Sequence, residues 1–190
     1  MNVNLLRLKT ICRPSNFIRV VFHDRMFVVK LLDRNERADA LAERLNNQAS
    51  LFPDKRGFII YALKCAIGFC DFIIFECAIP DMYCQFDLTK NIFYMDMTTT
   101  PTNHIFPHLK KARRLLDKLG CSYSDEYPRY MEYRYDSGGD MHSLNANFGK
   151  NVELATDFTM RVFTEIYKDN LKELKVFLGY FPEPNPKKQS

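Results

Sequence analysis

The spacing of polar and apolar positions changes along the chain, and each change marks an element. Residues 17–22 (Phe-Ile-Arg-Val-Val-Phe) and 25–30 (Arg-Met-Phe-Val-Val-Lys) are β-branched and aromatic runs separated only by His23 and Asp24. Two such runs with so short a spacer predict a tight hairpin. Asp33 and Glu36 then stand at the spacing of a capping box. Leu41 and Leu45, with Ala38, Ala42 and Ala49, follow as the narrow apolar stripe of a helix of roughly three to four turns. Residues 51–57 form the clearest internal linker. The run from Phe58 to Ile67 is apolar all round, so period alone cannot separate a buried helix from a buried strand. Its length and alanines favour helix.

Residues 72–78 read as a buried strand. In the next strand Met82, Cys84, Phe86 and Leu88 alternate with Tyr83, Gln85 and Asp87, giving one apolar and one wet face. A short turn leads into residues 92–97 and completes an antiparallel meander. Ile105, Leu109, Ala112, Leu116 and Leu119 make a helical stripe, with Asn103 placed to cap it and Gly120 to end it. Residues 130–135 and 142–148 predict a further hairpin across the Gly- and Asp-rich 136–140 loop. In it Leu144, Ala146 and Phe148 face inward with Met131, Tyr133 and Tyr135, while Asn145 and Asn147 face out. The last helix starts near Asn151, buries Val152, Ala155, Phe158, Val162 and Ile166, and continues with a kink near Asn170 toward Phe177.

These elements predict an α+β fold, with antiparallel sheet from hairpins and a meander packed against amphipathic helices on one face. Residues 1–50 form an N-terminal hairpin–helix segment, part of the same domain or a small subdomain. Residues 57–181 form the main domain, and 182–190 a disordered tail. The order helix, three strands, helix, two strands, helix over 58–168 is similar, at the level of topology alone, to that of type III secretion chaperones. No motif is shared, and those chaperones tend to be acidic where this chain is basic, so the chain is not identified with any family.

Charge adds one detail. The formal net charge is +4, yet residues 1–37 alone carry +5 and the remainder −1. So small an asymmetry only weakly favours an acidic partner surface or nucleic acid. Cys12, Cys65, Cys70, Cys77, Cys84 and Cys121 contain no Cys-x-x-Cys pair. Four of them lie in apolar runs where a reduced thiol behaves as a small hydrophobe. No stretch is apolar enough to span a membrane, and the N-terminus lacks the apolar core of a secretion signal. A cytoplasmic, soluble protein is expected.

Few residues point to chemistry. His104 and His108 share a helix-face spacing, but the intervening Ile105-Phe106-Pro107 supplies no general base and no further ligands stand nearby in sequence. Nothing assembles a nucleophile with a base, a metal-ligand set or a cofactor loop, and no cofactor is expected. The densest cationic cluster is Lys110, Lys111, Arg113, Arg114 and Lys118, spread over the side of their helix opposite its apolar stripe. Tyr130, Arg134, Asn145 and Asn147 would form a second, polar and aromatic surface. The leading expectation is a non-enzymatic protein-binding or adaptor domain, chaperone-like or immunity-type, with self-association through an edge strand open to it. The alternative is a nucleic-acid-associated protein that contacts phosphates through the basic helix 107–119 and the basic N-terminal hairpin. An enzyme with a dispersed site is the third.

Overall fold

The computed structural model describes residues 33–79, 82–97, 106–125 and 144–181, together with the backbone of 17–22 and 25–30. Strands β1 (Phe17–Phe22) and β2 (Arg25–Lys30) pair antiparallel as a separate two-stranded sheet, with Phe22 opposite Arg25 as the tight hairpin requires. Helix α1 (Arg34–Gln48) begins with the expected capping box. The Asp33 carboxylate accepts from Glu36 N at 2.8 Å, and the Glu36 carboxylate accepts from Asp33 N at 3.0 Å. Two otherwise unpaired donors are thereby satisfied. Asp54 caps α2 (Lys55–Ala66) by accepting from Gly57 N. The ambiguous apolar run is therefore helical, and it buries Phe58, Ile59, Ala62, Leu63 and Ala66.

The main sheet contains β3 (Phe72–Glu76), β4 (Tyr83–Asp87), β5 (Tyr94–Asp96), β6 (Tyr123–Ser124), β7 (Asn145–Asn147) and β8 (Lys175–Gly179). Its six strands run in the order β6-β7-β5-β4-β3-β8, every pair antiparallel. Register aligns Leu178, Ile73, Phe86, Met95 and Ala146 in one row across the sheet, all of them buried. Because side chains alternate along each strand, one face carries this apolar row and its neighbours Val176, Phe75 and Cys84. Helices cover that face. α1 lies against β8, while α2 packs on β3 and on α4 (Val152–Arg161). Ala38, Leu41 and Leu45 of α1 belong to the same core as the sheet, so the helical part of the N-terminal segment shares that core.

Three expectations need correction. The last helix does not run on toward Phe177. After α4 the backbone widens into a π-turn (Val162–Tyr167), Lys168 adopts φ 62°, and the chain turns back to form β8. Leu171, Leu174 and Leu178 imitate a helical stripe, but Leu171 also has positive φ (61°), which a continuing helix excludes. Secondly, β7 is not simply one arm of a 130–148 hairpin: it lies inside the sheet, bonded to β5 and to the short β6. The proposed strand 130–135 and loop 136–140 lie outside the described residues, as do Asn103 and the 182–190 tail. Thirdly, Asn145 was expected on a wet face. It does point away from the core, but flanked by Asp96 on β5 and Ser124 on β6 it is only 2% exposed.

The sheet edges are managed differently. On β8 the Asn46 amide of α1 donates to Val176 O at 2.9 Å and accepts from Val176 N at 2.8 Å. One side chain thus supplies the pairing a neighbouring strand would give, and it blocks strand addition at that point. The opposite edge, β6, is two residues long. Among the described residues neither offers a long free ladder for association.

Candidate functional site

α3 (Leu109–Lys118) buries Leu109, Ala112, Leu115 and Leu116. An α-helix turns about 100° per residue, so the cations between those positions fall on two different faces. Arg113 turns toward Asp125, with Nη2 2.8 Å and Nε 2.9 Å from its Oδ1. Lys110 projects between Arg113 and Arg114, about 60° from the first and about 40° from the second. Lys111, Arg114 and Lys118, at i, i+3 and i+7, line the opposite side together with Leu115. The predicted five-cation cluster is therefore divided, and three of its members face a cleft of about 170 Å³ whose other wall is Glu165 and Ile166.

That second wall exists because α4 does not end as an ordinary helix. Thr156, Thr159 and Thr164 each donate their hydroxyls to the carbonyl four residues earlier, at 2.8–2.9 Å. Such back-bonding competes with the helical ladder and bends it. In the π-turn the Lys168 N–H reaches back five residues to Phe163 O. Insertions of this kind recur at functional sites because they re-aim side chains. Here the turn directs the Tyr167 hydroxyl to donate to Tyr83 O at 2.9 Å, with its ring edge-on to His108 and to Phe163. Burial drives the Tyr167 phenol well above its ordinary range, so it serves as a neutral donor.

The electrostatics of the cleft are one-sided. Glu165 is engaged bidentately by Arg161, with N–O distances of 2.6 and 3.2 Å. Arg161 holds its carboxyl below the usual range, with smaller contributions from the Lys118 and Lys168 charges. Lys111, Arg114 and Lys118 have no carboxylate within ion-pair distance among the described residues. Leu115 and Ile166 form an apolar floor, 4% and 5% exposed. His108 lies one turn before Lys111, and its Nδ1 is buried without a hydrogen-bond partner. Burial, and then the Lys111 charge, lower its pKa below the ordinary histidine value. The arrangement can hold an anion against a small apolar surface.

The other sequence-predicted residues are not brought together. Asn145 is buried, and Asn147 accepts from Gly149 N at 2.8 Å in a local turn. Tyr130, Arg134 and His104 lie outside the described residues, as do the side chains of the basic N-terminal hairpin. Among the described residues no group of three His, Cys, Asp or Glu side chains could hold a metal ion. Nor is any helix there long and apolar enough to cross a membrane. Cys70 and Cys84 are thiols pushed up to about 12 by burial, which makes them poor nucleophiles. Sequence reasoning missed Leu115, Glu165 and Arg161 as cleft residues. Only the i, i+4 spacing of Arg161 and Glu165 signalled a pair, and nothing local tied that pair to α3.

The fold and this cleft define an α+β protein with a cationic, apolar-floored groove between two helices. Comparison with protein-family models, with curated proteins and with solved structures returned no match.

Proposed function

We propose that this chain is a non-enzymatic protein-binding domain whose recognition surface is the cleft between α3 and the π-turn of α4. One observation carries the reading: Lys111, Arg114 and Lys118 line one cleft beside the apolar pair Leu115 and Ile166 and have no carboxylate within ion-pair distance among the described residues. A segment of a partner protein with acidic and aliphatic side chains satisfies both halves of that surface, since cations steer and orient while apolar contact contributes affinity. The nucleic-acid alternative fits less well. A phosphate backbone is tracked by a continuous cationic stripe, commonly with aromatic platforms for bases. Here the stripe is bounded by the exposed Asp117, Glu165 forms the facing wall, and Arg113 is paired on the other side.

Site-specific photo-cross-linking tests this. A photoreactive residue replaces Thr164, exposed beside Glu165 at the cleft's edge, in the full chain, which is irradiated in cell extract treated with nuclease or left untreated. The reading expects protease-sensitive, nuclease-resistant adducts that disappear when Lys111→Glu and Arg114→Glu are added. Nuclease-sensitive adducts, or protein adducts indifferent to those reversals, would overturn it.

A further inference from the structure

We infer that the cleft recognises a phosphoryl group carried on a side chain of the partner protein, an inference that rests on the protein-binding reading above. Charge balance comes first. Among the described residues three cations and one acid line the cleft, and that acid, Glu165, is already held by Arg161. A single carboxylate would leave most of that charge unmet. A phosphomonoester brings a charge of about −1.5 to −2 and three strong acceptor oxygens.

Geometry is the second point. Along the helix axis Lys111 and Arg114 are about 4.5 Å apart and Arg114 and Lys118 about 6 Å, at 1.5 Å per residue. Their long side chains can therefore converge on one group. The central position is an arginine, whose planar fork suits two phosphate oxygens at once. The cleft's 170 Å³ corresponds to roughly five or six waters at about 30 Å³ each. That is room for a phosphoryl head and its first carbons.

The extent of the site is the third. On α3 the cationic face ends at Lys118, because the helix stops there and Gly120 reverses the chain at φ 66°. One phosphoryl group fits this short face better than a run of phosphates does.

The test uses immobilised full-length protein and a degenerate peptide library with a fixed central phosphoserine. Parallel libraries carry Glu or Ser at that position, and a mixed-sequence single-stranded oligonucleotide and inorganic phosphate serve as further probes. The phosphoserine library is expected to be retained at least tenfold over both others. Retention should fall at least tenfold in Lys111→Glu/Lys118→Glu and persist in Lys64→Glu, an exposed α2 control, with both variants checked for unchanged thermal unfolding. Equal retention of the Glu library would overturn the phosphoryl inference and leave the protein-binding reading standing. Preferential retention of the oligonucleotide would overturn both. Full competition by inorganic phosphate at concentrations no higher than the peptide's would assign the site to a free anion and overturn the partner-borne source. Absence of any retention would overturn the inference.

Discussion

Asn46→Ala isolates how this fold closes its sheet. The Asn46 amide makes two hydrogen bonds to one residue, donating to Val176 O and accepting from Val176 N, across 130 positions of sequence. Each such bond contributes about 1 kcal/mol net. Truncation also leaves a backbone N–H and C=O at the half-buried α1–β8 junction, where water can reach only part of their surface. We expect a loss of about 2–3 kcal/mol, the upper end applying if the groups stay dry. For a chain of this size that is a fall in Tm of roughly 4–12 °C. Urea unfolding at constant m-value is the assay, since an unchanged slope keeps the effect in the native state. Asn46→Asp sharpens the experiment. It keeps an acceptor for Val176 N but sets a carboxylate against Val176 O, so at neutral pH it should be no better than Ala. A loss under 0.5 kcal/mol in Asn46→Ala, or an Asp variant as stable as wild type, would refute the claim that this side chain substitutes for a neighbouring strand.

Three further perturbations follow from the same geometry. In Gly179→Ala a Cβ would overlap the Phe72 ring, so the variant should lose about 1–3 kcal/mol in urea unfolding, partly restored by Phe72→Leu. The Cys84 thiol is pushed up to about 12 by burial, so its stabilising contribution is present below the ordinary thiol pKa near 9 and is lost as pH rises toward 12. Cys84→Ala should therefore make unfolding free energy less steep in that window by about 1.4 kcal/mol per pH unit, measured by urea titrations at two alkaline pH values. His108 has the opposite sign: burial and then Lys111 lower its pKa, so its contribution is present above pH 6.5 and is lost as pH falls through the folded value. NMR titration of its ring should give a midpoint below that of a free histidine.

Much of this architecture was legible because local signals and tertiary needs agree. Asp33 and Glu36 announced α1, and the alternation Met82, Cys84, Phe86, Leu88 placed all four side chains on the buried face. The inward set Leu144, Ala146 and Phe148 was also read correctly. What escaped detection lacked a local cue. β6 has two residues, too few to show a period. The end of α4 carries no glycine: Lys168 and Leu171 take positive φ without the residue type that usually marks it, so β8 was hidden behind a false leucine stripe. The cation cluster was visible in the sequence. Its division was not, because that depends on Asp125, twelve residues from Arg113, and on a π-turn some fifty residues further along the chain.

Arg113 and Lys111 lie on opposite sides of α3, Arg113 toward Asp125 and Lys111 toward the cleft, and comparing their charge reversals tests the account most directly. Each variant, Arg113→Glu and Lys111→Glu, would carry the photo-cross-linker at Thr164 and be matched for thermal unfolding. Loss of protein adducts in Lys111→Glu alone is the predicted result. Equal loss in both would mean that net charge, rather than a cleft on one face of the helix, governs recognition.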